Sequence, residues 1–232
     1  YNAGFVSLTD SGEIWTINNK LGGAGWNDPS KYGFRGVFDG RGYNVNGITV
    51  KAATSGRESG GIFGFTGNNA VIKNVSFTNA GVEENNGFIC SYGGGLIENV
   101  NITFAKLGAG NENRDLFSTN GEPRTMGAFF SCGASESAKV RNCFVDAIGA
   151  DIAYVTNKDR SDLANVVLGT RTKNVENLVV VCDHARADKI LSESGSSYTA
   201  TSYSDFSTSV PLKSIISEFD KDIWSVINGI PF

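Results

Sequence analysis

At four places in this chain, apolar residues fall on alternate positions to either side of an asparagine. The stretches are AVIKNVSF (70–77), LIENVNI (96–102), KVRNCFV (139–145) and NVENLVV (174–180). Two before the Asn stand Ile72, Ile97, Val140 and Val175; one after it stand Val75, Val100, Cys143 and Leu178; three after it stand Phe77, Ile102, Val145 and Val180. A period of two on both sides of one residue predicts two short strands meeting at a bend. The anchors Asn74, Asn99, Asn142 and Asn177 are spaced by 25, 43 and 35 positions (74 to 99, 99 to 142, 142 to 177). An earlier stretch, YNVNGITV (43–50), fits the pattern with Gly47 in the Asn place. Asn and Gly are the residues that most readily accept a left-handed backbone. The expected outcome is a structural ladder of stacked bends at Gly47, Asn74, Asn99, Asn142 and Asn177.

The position before the anchor is charged each time, with alternating sign: Lys73, Glu98, Arg141 and Glu176. Parallel strands would bring these within ~4.8 Å of one another, where opposite charges help and like charges repel. A solvated ion-pair ladder is the expectation. About ten residues ahead of each anchor comes Gly followed by an apolar run: GGIFGF (60–65), NGFICSY (86–92), MGAFFSC (126–132) and ANVVLGT (164–170). Each repeat therefore carries at least two strands and a corner. Repeats of this length point to a solenoid. The predicted fold is all-β: a right-handed parallel β-helix of about five coils, with a short C-terminal helix as cap. Propeller blades are the rival, but Asn-Gly hairpin turns do not recur once per repeat.

Two regions follow from this pattern. Residues 1–195 are read as the β-helix, with a partial first coil, and residues 196–232 as an extended segment and helical cap. The extended part is SSYTATSYSDFSTS (196–209). The helix is expected at 209–219, where Leu212, Ile215, Ile216 and Phe219 share one face and Pro211 suits the first turn.

Composition narrows the function. Of 232 residues 29 are Gly, and the net charge is −4. The first fits many turns; the second offers no basic face for nucleic acid. No apolar run approaches the ~18 residues of a membrane helix, so no membrane insertion is expected. The chain opens on Tyr1 without a signal-peptide pattern, which is read as a piece of a larger multidomain parent. The single histidine, His184, disfavours triads and His-metal clusters, and Cys90, Cys132, Cys143 and Cys182 lack CxxC spacing. No metal and no cofactor are expected. Cys143 and Cys182 read as inward small hydrophobes; free thiols are favoured over a Cys90–Cys132 bridge.

FRGVFDGRGYNVNGITV (34–50), then GGIFGFTGNNAVIKNVSFTNAGV (60–82), resembles the GLUG-type repeat of large bacterial surface proteins. The family pattern runs F-x-G-x-F-D-G-x-G, a Gly-[LI]-Phe-Gly strand and an I-[KE]-N-[VL] corner. The match is dense over 34–104 and thins to the corners beyond. The resemblance implies a secreted or bacterial cell-surface β-helical segment of an adhesin-like protein, with no activity attached to the repeat. Asp39, Gly40, Gly42 and Gly64 would then be architectural, Asp39 through an Asx-type turn.

Uneven repeat steps become loops at 51–59, 106–125 and 150–163, all ahead of the Gly-aromatic strand and hence at one corner. Their side chains Arg57, Glu58, Asn111, Asn113, Arg114, Asp115, Tyr154, Asp159 and Arg160 are the candidate contacts for a glycan or host surface protein, with Tyr154 placed to stack on a sugar. The expected function is a non-catalytic binding or structural module. A polysaccharide lyase or hydrolase on the same scaffold is the alternative, and a phage fibre segment a third. The acids Asp115, Asp146, Asp151, Asp159, Asp162 and Asp183 show no pairing or metal-ligand spacing that would favour the enzyme.

Overall fold

A computed structural model describes residues 33–50, 61–82, 87–107, 128–152, 172, 174–181, 197–203, 222, 224, 226–227 and 230–231. Every regular element among them is a strand. A large, open parallel sheet contains β1 (Val37–Asn46), β2 (Thr49–Val50), β4 (Val71–Val82), β6 (Leu96–Leu107), β8 (Lys139–Asp146), β9 (Asp151–Ile152), β10 (Asn174–Val181) and β11 (Ser197–Tyr203). Its main path runs β1-β4-β6-β8-β10-β11, with β2 on β4 and β9 on β6. A second parallel sheet is formed by β3 (Phe63–Thr66), β5 (Cys90–Gly93) and β7 (Phe130–Ala134). The short β12 (Val226–Ile227) and β13 (Ile230–Pro231) pair antiparallel.

The order of pairing follows the repeats. Each strand of the small sheet immediately precedes a strand of the large one, so successive repeats occupy successive rungs. The register places Ile72 beside Ile97, Ile97 beside Val140 and Val140 beside Val175. Phe77, Ile102, Val145 and Val180 form a parallel column. All eight are buried, together with Val75, Val100, Cys143 and Leu178. They meet Phe63, Phe88, Ile89, Phe129 and Phe130 in one core cluster. Phe144, Val179 and Val181 have the opposite parity and are buried outside that cluster.

Asn74, Asn99, Asn142 and Asn177 all have left-handed backbone, with φ of 54, 53, 50 and 50°. Gly47 is also left-handed, at 80°, but its place is corrected by the register. Its amide donates to the Thr78 carbonyl, beside Asn79 (φ 51°), so it belongs to a second corner one short strand further on. In β1 the position opposite Asn74 is taken by a bulge between Asp39 and Tyr43, where Arg41 (52°) and Gly42 (75°) turn the chain. The Asp39 carboxylate accepts the Arg41 amide at 3.0 Å, an Asx-type turn. Gly40 lies inside this bulge, where a Cβ would come 2.6 Å from the Asn74 carbonyl oxygen.

The expected boundary at 195 is crossed by the large sheet: β11 pairs in parallel with β10, Asn174 beside Ser197 and Val181 beside Tyr203. The helix expected at 209–219 lies outside the described residues. Trp224, just beyond it, is buried.

The corner side chains hold adjacent rungs together. The Asn74 amide donates to Asp39 at 3.1 Å, Asn99 to Asn74 at 3.0 Å and Asn177 to Asn142 at 3.1 Å. Between these runs, the buried Asn99 Oδ1 accepts no hydrogen bond. Asn177→Ala is expected to cost about 2 kcal/mol, through loss of a side-chain hydrogen bond and the penalty of a left-handed alanine. Asn177→Gly keeps the backbone tolerance and should cost about half as much. Urea titration of both variants separates the two contributions; equal losses would mean that the backbone conformation contributes nothing.

Candidate functional site

The nine side chains expected to contact a ligand, Arg57, Glu58, Asn111, Asn113, Arg114, Asp115, Tyr154, Asp159 and Arg160, lie outside the described residues. The structure does place the points from which their segments depart. Val50 pairs with Val82, Val82 with Leu107 and Leu107 with Ile152. Residues 50, 107 and 152 therefore sit on rungs one, three and four of a single column. At ~4.8 Å per rung they span roughly 14 Å along the stack. The return points of the first two segments align as well. The Ile62 amide donates to the Phe88 carbonyl at 3.0 Å, and the Ile89 amide to the Ala128 carbonyl at 3.1 Å.

Two loop boundaries shift. Lys106 and Leu107 belong to β6, and Asp151 and Ile152 form β9; the two pairs lie side by side in parallel register. The sequence offered a signal for this third short strand. The apolar Val50, Val82, Leu107 and Ile152 each follow a corner and a small or polar residue, although a two-residue strand is too brief for its period to stand out.

The charged positions before the anchors form one continuous column, and Asp39 extends it to the first rung. Asp39 pairs with Lys73, Lys73 with Glu98, Glu98 with Arg141 and Arg141 with Glu176 in the strand register. The ion pairs divide it unevenly. Lys73 Nζ lies 3.7 Å from Asp39, Arg141 pairs with Glu98, and Glu176 turns instead to Lys139 at 3.3 Å. These groups are partly solvated, so each pair contributes at most about 1 kcal/mol. The Arg41 amide, followed by the Asn74 amide and Lys73, holds the Asp39 carboxyl below its ordinary range. Such a group stabilises the fold above the unfolded carboxylate pKa and loses that contribution as pH falls through the folded value.

Cys90 and Cys143 are buried thiols that form no disulfide. Burial pushes the Cys143 thiol up to about 12, against small opposing effects of nearby backbone groups. Its contribution to stability is complete below the ordinary thiol value of 9.0 and declines as pH rises above it, where only the unfolded thiol ionises. Cys143 should therefore resist iodoacetamide in the native protein at pH 8 and react only after denaturation, as read by peptide mass mapping. Labelling at the rate of a free thiol would contradict its burial.

Among the acids weighed for an enzyme, Asp146 accepts the Ile148 amide at 2.9 Å in a tight turn, and Asp151 lies in β9. Among the described residues no group of three or more His, Cys, Asp or Glu is arranged to hold a metal ion. No helix among them is long and apolar enough to cross a membrane. The chain matches no family model, no curated protein and no solved structure.

Proposed function

We propose that this chain is a right-handed parallel β-helix of the GLUG-repeat type that serves as a rigid, non-catalytic binding segment on a bacterial surface. In this reading it is part of a larger secreted or surface-anchored protein, and its ligand is a glycan or a host surface protein. The observation that carries the reading is the column Val50, Leu107 and Ile152: the described strands that precede the three candidate segments end in one column within about 14 Å. Insertions gathered on one face of a repeat protein are a common way to build a ligand surface without disturbing the stacked core. Their polar residues and Tyr154 match the chemistry of sugar recognition, an aromatic face bordered by hydrogen-bonding groups.

Replacing 108–122 by a short Gly-Ser link tests this. Binding to a panel of bacterial and host glycans and to host-cell surface protein is measured by calorimetry or surface plasmon resonance. Affinity should fall at least tenfold, about 1.4 kcal/mol. The melting temperature should move by no more than about 4 °C, because the deletion leaves every described strand intact. Unchanged affinity would remove this face as the binding surface.

A further inference from the structure

β1 ends on an Asn-Gly pair, Asn46–Gly47, and Asn46 is exposed. Such a pair carries its own chemistry. Glycine has no Cβ, so its nitrogen approaches the preceding carboxamide carbon without hindrance. Ring closure needs two freedoms. The nitrogen must be released from its hydrogen bond, and the Asn backbone must rotate out of the extended strand conformation. The second corner withholds both. Asn46 lies in register with Thr78, and the Gly47 amide donates to the Thr78 carbonyl at 2.9 Å. The Asn46 carboxamide oxygen lies 3.1 Å from the Thr78 hydroxyl, which accepts from the Asn44 amide at 2.9 Å. One residue of β4 thus holds both the attacking nitrogen and the group it would attack. Just beyond, the Gly81 amide donates to the Ile48 carbonyl at 2.8 Å and closes the corner from the other side.

We infer that Asn46–Gly47 is a site of spontaneous modification, gated by the pairing of β1 with β4 at this corner. While the Gly47–Thr78 hydrogen bond stands, Asn46 remains an amide. When the bond opens, the Gly47 nitrogen bonds to Asn46 Cγ and the Cγ–Nδ2 bond breaks. Nδ2 leaves as ammonia, taking the proton that the Gly47 nitrogen gives up. Water then opens the five-membered imide. Addition at Cγ gives aspartate at this position, and addition at the main-chain carbonyl gives the β-linked isoaspartate. Water is the one co-reactant, and nothing is oxidised or reduced. The β-linked product adds one atom to the main chain between the Asn46 Cα and the Gly47 nitrogen. That displaces the Gly47 amide from the Thr78 carbonyl, so the corner does not reclose as before. A transient parting of two rungs is thereby converted into a permanent one.

Incubation of the full chain in mildly alkaline buffer, natively and in guanidinium chloride, tests this. Mass spectrometry of the peptide holding Asn46 follows replacement of the amide by a carboxyl group. In the denatured chain Asn46 should convert as fast as the other Asn-Gly pairs of the sequence, at 86, 120 and 228. In the native chain its conversion should be at least about tenfold slower. That factor should match, within about threefold, the protection of the Gly47 amide from hydrogen exchange, because one opening controls both. Asn79→Ala places an alanine in the left-handed position beside Thr78 (φ 51°) and should speed native conversion about fivefold or more. Gly81→Val brings a Cβ to 2.7 Å from Thr49 Oγ1, presses β2 away from β4 and should act in the same direction. Retained exchange protection of 96–107 in each variant confirms that the rest of the stack stands. Native conversion at the denatured rate overturns the inference. So does an unreactive Asn46 in the denatured chain. A native rate that ignores both variants while their Gly47 amides exchange faster overturns it equally.

Discussion

Truncation of Phe88 to Ala is expected to lower the unfolding free energy by about 3–5 kcal/mol. Phe88 is fully buried and precedes β5, so it reaches the core from the small-sheet side. Its ring meets Phe77 of β4 edge-on, with centroids 5.3 Å apart at 84°, and Phe104 of β6 in the same manner, at 5.4 Å and 77°. One side chain therefore joins the two sheets across two rungs. Its loss removes both aromatic contacts and leaves a cavity that hydrogen-bonded strands cannot collapse to fill. Phe88→Leu retains most of the volume and should cost less than half as much. Equilibrium urea unfolding of the two variants checks this; a loss below about 1 kcal/mol for the alanine variant would mean that Phe88 does not join the sheets.

Gly95→Ala should be comparably damaging, at about 3 kcal/mol or more, for a reason located in the backbone. The link between the small and large sheets is shortest in this repeat, 7 positions from Cys90 to Ile97 against 9 and 10 in its neighbours. The compressed turn GGGL takes Gly95 to φ +89°, and a Cβ there would lie 2.3 Å from the Ala70 carbonyl oxygen. That oxygen already accepts the Leu96 amide at 2.8 Å, so it cannot withdraw without breaking a bond between rungs. Ala70 and Ala138, in the longer links, carry a Cβ and are buried. Thermal unfolding should show Gly95→Ala well below Ala138→Gly. Equal melting temperatures would remove the steric argument.

The strand pattern was legible where it was local. Alternation around Asn74, Asn99, Asn142 and Asn177 gives the inward columns directly, because a pleated strand assigns alternate residues to opposite faces. The left-handed corner could be read from the exchange of Asn and Gly. The same reasoning misaligned Gly47. Asp39 already supplies a side-chain oxygen for the turn, and the bulge it stabilises absorbs extra residues, so Arg41 and Gly42 take the corner that spacing alone assigned to Gly47. The second corner escaped notice because its residues vary, Gly47 in one repeat, Asn79 in the next and Gly149 in another. The buried Phe144, Val179 and Val181 also break simple alternation, since that part of the sheet is covered on both faces. Of the candidate site, the nine expected contact residues lie outside the described residues, and two of the expected segment boundaries come too early, because β6 runs on through Leu107 and Asp151–Ile152 form β9.

The orphaned oxygen of Asn99 has a mechanical consequence. Corner amides link Asp39, Asn74 and Asn99 into one chain of bonds, and Asn142 and Asn177 into another, with no side-chain amide bond from Asn142 to Asn99. Between β6 and β8 the backbone pairing and the Glu98–Arg141 ion pair therefore hold the corner without the side-chain amide bond that ties Asn74 to Asn99 and Asn142 to Asn177.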